Sequence, residues 1–293
     1  MRSAGKWLLF AAVCAGLAMP AGAEDATLRE RLTGLRAVAH RGGFDFPNSN
    51  TIERFEIAMR EGADVVETDL QVSSDGVPFL FHDATLERVT NCKGMFWTLP
   101  ASAIERCRLN GLNHGPERFE TALQWSRGRV VIDAEFKTAA VIRPAIALVQ
   151  QYGAYEWVYF QVRNGLSLYR EARAFDSYVA LEAAPVGDNA ESELAELLAL
   201  DDPRLLIIQL HENLLTDHSL RAIRDSGKLT SIDAWRIGSE RLWSFWPFQR
   251  TAACDLVFRD GIDIAISNTP SACARQRDAA RLLEIKARAA MAQ

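Results

Sequence analysis

From Ala37 onward, short runs rich in Val, Ile and Leu alternate with longer stretches whose apolar residues recur at helical spacing. The strand-like runs are Ala37–Gly42, Val65–Val72, Arg129–Phe136, Trp157–Val162, Ser177–Ala183, Arg204–Leu210, Lys228–Trp235 and Ile262–Ser267. Helices are predicted between them at Thr51–Gly62, near Glu117–Trp125, at Ile142–Tyr152, Leu166–Phe175, Glu191–Leu200 and Thr216–Ser226, around Ser239–Phe258, and from Pro270. Strict alternation of strand and helix builds a parallel sheet, and eight such units in about 250 residues close into a (β/α)8 TIM barrel. A doubly wound sheet would carry a Gly-rich phosphate loop after its first strand; His-Arg-Gly-Gly-Phe-Asp-Phe at 40–46 is not one. Val77–Phe81 reads as a second extended piece beyond the turn Ser74-Asp75-Gly76. Residues 84–116, rich in turn formers, fit neither pattern and are expected to be a small insertion after strand 2.

Ahead of the barrel, Arg2 and Lys6 precede an apolar run, Trp7–Met19, and a small-residue site, Ala21-Gly22-Ala23. This is the form of a secretory signal peptide over residues 1–23, leaving 24–293 as one exported domain, periplasmic or secreted. Thirteen apolar residues are short for a membrane span, so no stable membrane anchor is expected. Cys14 could carry a lipid, but Val13 is a poor residue before a lipidated cysteine. The formal charge is −5, and loss of Arg2 and Lys6 takes it to −7, which argues against nucleic acid or an anionic surface as partner. Four cysteines remain, Cys92, Cys107, Cys254 and Cys273. Of three connectivities the sequence-local pairs Cys92–Cys107 and Cys254–Cys273 are favoured, with four buried thiols as the alternative.

The active site of such a barrel lies at the carboxyl ends of its strands, and unexpected polar residues collect there. His40 and Arg41 close the first strand, Glu67 and Asp69 sit late in the second, His82 and Asp83 end its extension, Glu135 and Lys137 end the third, and Trp235 ends the seventh. Side chains alternate along a strand, so Glu67 and Asp69 share a face opposite Val66, Thr68 and Leu70. Asp133, Glu135 and Lys137 likewise face away from Ile132 and Phe136. Two acids on one strand could be explained by arginine partners. Three convergent carboxylates fit a hard divalent cation, Mg2+ or Ca2+, better. His40 and His82 flank that position, where imidazoles exchange protons near neutral pH. Arg41 and Lys137 would meet an anionic substrate. His114, His211 and His218 read as structural or surface residues, although His211 follows a strand and could reach the mouth. Acids, cations and two imidazoles suit phosphoryl transfer better than sugar hydrolysis.

At these residues the sequence resembles the glycerophosphodiester phosphodiesterase family. The matching stretches are AHRGG at 39–43, NTIERFEIAMREGADVVETDLQVSSDGVPFLFHDATLERVTN at 50–91, IDAEFK at 132–137, IDAWRI at 232–237 and GIDIAISNTP at 261–270. The resemblance implies that His40 and His82 are general acid and base and that Glu67, Asp69 and Glu135 bind one divalent cation. Arg41 would then hold the phosphate, Lys137 assist it, and Trp235 line the glycerol side. The implied reaction is hydrolysis of a small-molecule glycerophosphodiester to an alcohol and glycerol 3-phosphate. A phospholipase D-like or lysophospholipid-specific activity is the alternative, for which Arg241–Gln249 (RLWSFWPFQ) could form an apolar rim, although core packing explains that cluster more simply. A non-catalytic phosphodiester-binding protein is the alternative from another class. Three positions depart from the family pattern: Ser49 replaces a glutamate, Arg236 a threonine and Asn268 an aspartate. Head group, ion, first base and oligomeric state stay open.

Overall fold

A computed structural model describes residues 26–43, 49–163, 166–234 and 253–291. Its strands are β1 (Arg36–Ala39), β2 (Val65–Val72), β3 (Pro78–Leu80), β4 (Val131–Phe136), β5 (Val158–Arg163), β6 (Ala180–Ala184), β7 (Leu205–Leu210), β8 (Leu229–Asp233) and β9 (Ile264–Ser267). All but β3 pair in parallel, and β1 pairs with both β2 and β9, so eight strands close into the (β/α)8 barrel. β3 is an extra strand, antiparallel to β2 with Leu80 opposite Leu70.

Alternation along each strand divides the barrel into two environments. Val66, Leu70, Ile132, Phe136, Phe160, Leu181, Ile208 and Ile232 point outward into one continuous apolar layer beneath the helices. Inward positions at the strand starts, among them Val65, Val131, Leu229 and Ile264, form a separate apolar plug. Higher in the lumen the inward positions turn polar: Glu67, Asp69, Asp133, Gln161, Glu182, Gln209, Ser231 and Asp233 are all buried.

Helix α1 (Leu28–Leu32), not expected from the sequence, seals the base of this plug with Leu28 and Leu32. It is held by a Thr27–Glu30 capping box, in which each side chain satisfies the other's backbone donor. Arg31 donates to the carbonyls of Gly128 and Glu156, in the turns that precede β4 and β5. The outer helices are α2 (Ile52–Arg60), α4 (Phe119–Ser126), α5 (Ala139–Tyr152), α6 (Leu166–Phe175), α7 (Ala190–Ala199), α8 (Asp217–Asp225), α9 (Ala253–Arg259) and α10 (Pro270–Met291). Their ends lie close to those expected. α9 covers the last part of the helix predicted around Ser239–Phe258; the rest of that stretch, residues 1–25, Trp235, Arg236 and Arg241–Gln249 lie outside the described residues.

One boundary is corrected. β1 stops at Ala39, and His40–Gly42 form a 3-10 turn in which Arg41 adopts left-handed backbone angles, φ 53° and ψ 31°. The strand cannot continue because the chain turns here to bring the Arg41 amide onto Glu67.

Residues 84–116 build a small unit of their own, with a short helix α3 (Ala101–Ile104) and a core of Phe79, Phe81, Leu86, Phe96 and Ile104. Asp75 ties this unit to the turn after β2, its Oδ1 accepting from Ser73 Oγ at 2.6 Å and from the Ala101 amide at 2.8 Å. Disulfides join Cys92 to Cys107 and Cys254 to Cys273, the sequence-local pairing. The first closes the insertion on itself across a separation of 15 residues. Replacing Cys92 and Cys107 together by alanine is expected to lower the unfolding free energy by about 3 kcal/mol, the loop-closure value for that length. Urea denaturation checks this; an unchanged midpoint would show that the insertion is ordered without its cross-link.

Candidate active site

The upper lumen gathers three carboxylates from two adjacent strands. β2 and β4 pair with Glu67 beside Asp133 and Asp69 beside Glu135. One oxygen from each of Glu67, Asp69 and Glu135 falls within 4.8 Å of the others. Glu67 and Asp69 are 2% and 1% exposed, so neither can discharge its field into water.

Cations surround this cluster. Arg41 Nε lies 2.8 Å from Asp69 Oδ2, and Lys137 Nζ bridges Asp69 Oδ1 at 3.2 Å and Glu135 Oε1 at 2.8 Å. Arg163 Nε approaches Glu135 Oε2 at 3.3 Å. Burial opposes ionisation of Asp69, but Arg41 and Lys137, with the two imidazoles beyond them, outweigh it and hold that carboxyl below its usual range. Glu67 goes the other way: burial, then the charge of Asp69, push it well above the usual carboxylate range. Burial opposes the charge of Lys137, yet Asp69 and Glu135 outweigh it and hold the ammonium above its ordinary value.

Backbone geometry fixes the rim. The Arg41 amide donates to Glu67 Oε2 at 2.7 Å. Gly42 follows with φ 77°, and a Cβ there would sit 2.8 Å from Arg54 Cβ and 2.9 Å from Phe55 Cδ1. Only glycine lets the turn lie this close to α2. Asn50, also left-handed at φ 61°, accepts from Thr68 Oγ1 and the Asp69 amide and donates to Asp69 Oδ2 at 2.9 Å. Ser49, half-buried, immediately precedes it.

The imidazoles have different supports. His40 Nδ1 lies 2.6 Å from Asn268 Oδ1, and its Nε2 faces Glu67 Oε2 at 3.9 Å. Burial, then Arg41, bring its pKa down to about 4. His82 Nδ1 lies 2.7 Å from Asp83 Oδ1, and Asp83 is paired in turn with Arg88. Gln71 Nε2 donates to the carbonyls of His82 and Asp83, pinning the end of the β3 extension to β2.

The structure thus brings together His40, Arg41, Glu67, Asp69, Glu135 and Lys137 through direct contacts, with His82 close enough to act electrostatically on Asp69. Trp235 lies outside the described residues. His211 is half-buried after β7, while His114 and His218 are exposed. Sequence reasoning missed Asn50, Arg163 and Asp233, and it noted Asn268 only as a departure. An arginine closing a buried strand was the available signal for Arg163; Asn50 showed none.

The three carboxylates fit a divalent cation. All donors are hard oxygens, and ion–oxygen distances of about 2.1–2.6 Å allow ligands up to about 5 Å apart. The fold and this centre define a TIM-barrel protein with an acidic, imidazole-flanked centre at the carboxyl ends of its strands.

Comparison with known proteins agrees. Residues 40–172 match the glycerophosphoryl diester phosphodiesterase family. Bovine glycerophosphodiester phosphodiesterase 1 is 39% identical over 70 residues, covering 24% of this chain and 21% of that protein. The match therefore spans about a fifth of the length of that relative. The structure of a glycerophosphoryl diester phosphodiesterase from Parabacteroides distasonis shares the fold with a TM-score of 0.71 at 21% identity, covering 87% of this chain and 92% of that one. A phosphodiesterase from Oleispira antarctica, in complex with sn-glycerol-3-phosphate, shares it with a TM-score of 0.65 at 17% identity, covering 84% and 97%. Residues 40–172 thus carry the family resemblance, and the solved structures share the barrel fold.

Asn50→Ala is expected to destabilise the protein by about 2–4 kcal/mol, because it removes three buried hydrogen bonds and leaves a non-glycine residue at positive φ. Asn50→Gly relieves the backbone and should lose less. Chemical denaturation of the two variants side by side separates the contributions; equal losses would assign all of the effect to the side chain.

Proposed function

We propose that this protein is an exported phosphodiesterase that hydrolyses glycerophosphodiesters to an alcohol and glycerol 3-phosphate, using one divalent cation, Mg2+ or Ca2+. The observation that carries the reading is the three-carboxylate cluster with His40 and His82 on its flanks and Arg41 and Lys137 against it. The family match over residues 40–172 and the product complex of the Oleispira protein support the same substrate class.

Glu67, Asp69 and Glu135 would hold the ion. When bound, it supplies Lewis-acid polarisation of a phosphate oxygen and lowers the pKa of a neighbouring hydroxyl. Arg41 and Lys137 then orient the phosphate by charge-assisted hydrogen bonds. The amide oxygen of Asn268 can only accept, so His40 carries its proton on Nδ1 and Nε2 is the unprotonated nitrogen. His40 accordingly takes the proton of the attacking hydroxyl. His82, its ring oriented by the Asp83 carboxylate at Nδ1, is the remaining imidazole and protonates the departing alcohol. Where the glycerol hydroxyl attacks, a cyclic phosphate forms, and water opens it with the two histidines exchanging roles. Trp235 would line the glycerol side.

Removal of residues 1–23 as a leader would leave the barrel domain 24–293. Two disulfides support an oxidising compartment, periplasmic or extracellular. Among the described residues no helix is long and apolar enough to cross a membrane.

The purified protein with Mg2+ or Ca2+ is expected to release choline from glycerophosphocholine, and chelation by EDTA to abolish release. His40→Ala and His82→Ala should each lower kcat by about 100- to 10,000-fold. No metal-dependent turnover of any glycerophosphodiester would leave only the binding-protein reading. Turnover indifferent to both histidine changes would overturn the mechanism instead.

A further inference from the structure

We infer that Arg163 is a positioning residue that fixes the orientation of Glu135 and so sets the affinity of the carboxylate cluster for its cation, an inference resting on the metal-dependent reading above. Arg163 closes β5 at the barrel mouth. Its Nε donates to Gln161 Oε1 at 2.9 Å and lies 3.3 Å from Glu135 Oε2. Its Nη2 lies 3.5 Å from Asp233 Oδ1 on β8. β6 and β7 separate β5 from β8 in the sheet, so the guanidinium crosses the lumen and ties the Glu135 side to the opposite wall. Asp233 is itself held there, its Oδ1 accepting from Gln209 Nε2 at 3.3 Å.

The two oxygens of Glu135 therefore meet unlike partners. Oε1 faces Lys137, an ammonium on a flexible stem that also serves Asp69. Oε2 faces a planar fork held by acceptors on two strands. The terminal torsion of a glutamate is broad and soft, so the fixed fork determines the plane of the carboxylate. Partners of this kind are worth about 10- to 100-fold in metal affinity. A direct contact to the substrate phosphate is the other role open to a mouth arginine. It fits less well, because this guanidinium is committed on both sides, its Nε donating to Gln161 Oε1 and its Nη2 reaching Asp233 across the lumen.

Arg163→Lys keeps the charge and removes the planar fork, which separates geometry from electrostatics. Calorimetric titration of the chelator-stripped protein with Mg2+ and with Ca2+ is expected to show Kd raised about tenfold or more. Activity on glycerophosphocholine should fall at limiting metal and recover largely at saturating metal. Wild-type Kd for both ions in Arg163→Lys overturns the inference. So does a raised KM with unchanged metal Kd, which would make Arg163 a substrate contact. Gln161→Met removes the Nε acceptor without changing charge and stands in if Arg163→Lys does not fold; it should raise Kd in the same direction, and a wild-type Kd there is equally fatal. Unmutated protein that binds neither ion would overturn the metal-dependent reading itself, before any variant is compared, and this inference with it.

Discussion

Asp69 and Glu67 sit two residues apart on one strand, buried, with Glu135 beside them on the next. Carboxylates this close in a low-dielectric lumen cannot all keep their charge unless cations are built in around them. Much of the upper barrel follows from that requirement. Arg41 reaches Asp69 from the turn after β1, Lys137 reaches it from the end of β4, and Arg163 approaches Glu135 from β5. The same field divides the acids, holding Asp69 ionised while Glu67 is pushed toward its neutral form. It also presses on His40, whose burial and nearness to Arg41 keep it neutral.

Holding these groups in place strains the backbone locally. Arg41 and Asn50 both occupy the left-handed region, where a non-glycine residue is disfavoured by roughly 1–3 kcal/mol. Each is retained because its amide or side chain meets a carboxylate of the cluster. Stability comes from elsewhere: the apolar layer under the helices, the plug at the base and two cross-links. The barrel interior is thus graded, apolar where the strands begin and polar where they end.

Features whose signal lies within one element were legible in the sequence. Strand–helix alternation gave the barrel, and period-two spacing of Glu67 with Asp69, and of Asp133 with Glu135 and Lys137, gave their common face. What escaped were pairings across the lumen. Arg163 finds Asp233 at 70 positions' remove, and Asn268 finds His40 across 228, distances at which no periodicity speaks. The end of β1 was misplaced for a related reason: Ala-His-Arg-Gly continues an extended pattern locally, and only the Glu67 carboxylate, 26 residues on, explains the turn. α1 is short and its two leucines gain meaning only against the barrel floor.

That floor has a directional consequence. α1 stands at the end of the barrel opposite the carboxylates, and the chain enters the fold there. Whatever precedes Ala26 is therefore joined to the protein on the far side from the site. A tether, a tag or a fused domain attached upstream would leave the approach for incoming molecules unobstructed. It would also aim that approach away from any surface to which the amino-terminal end was fastened.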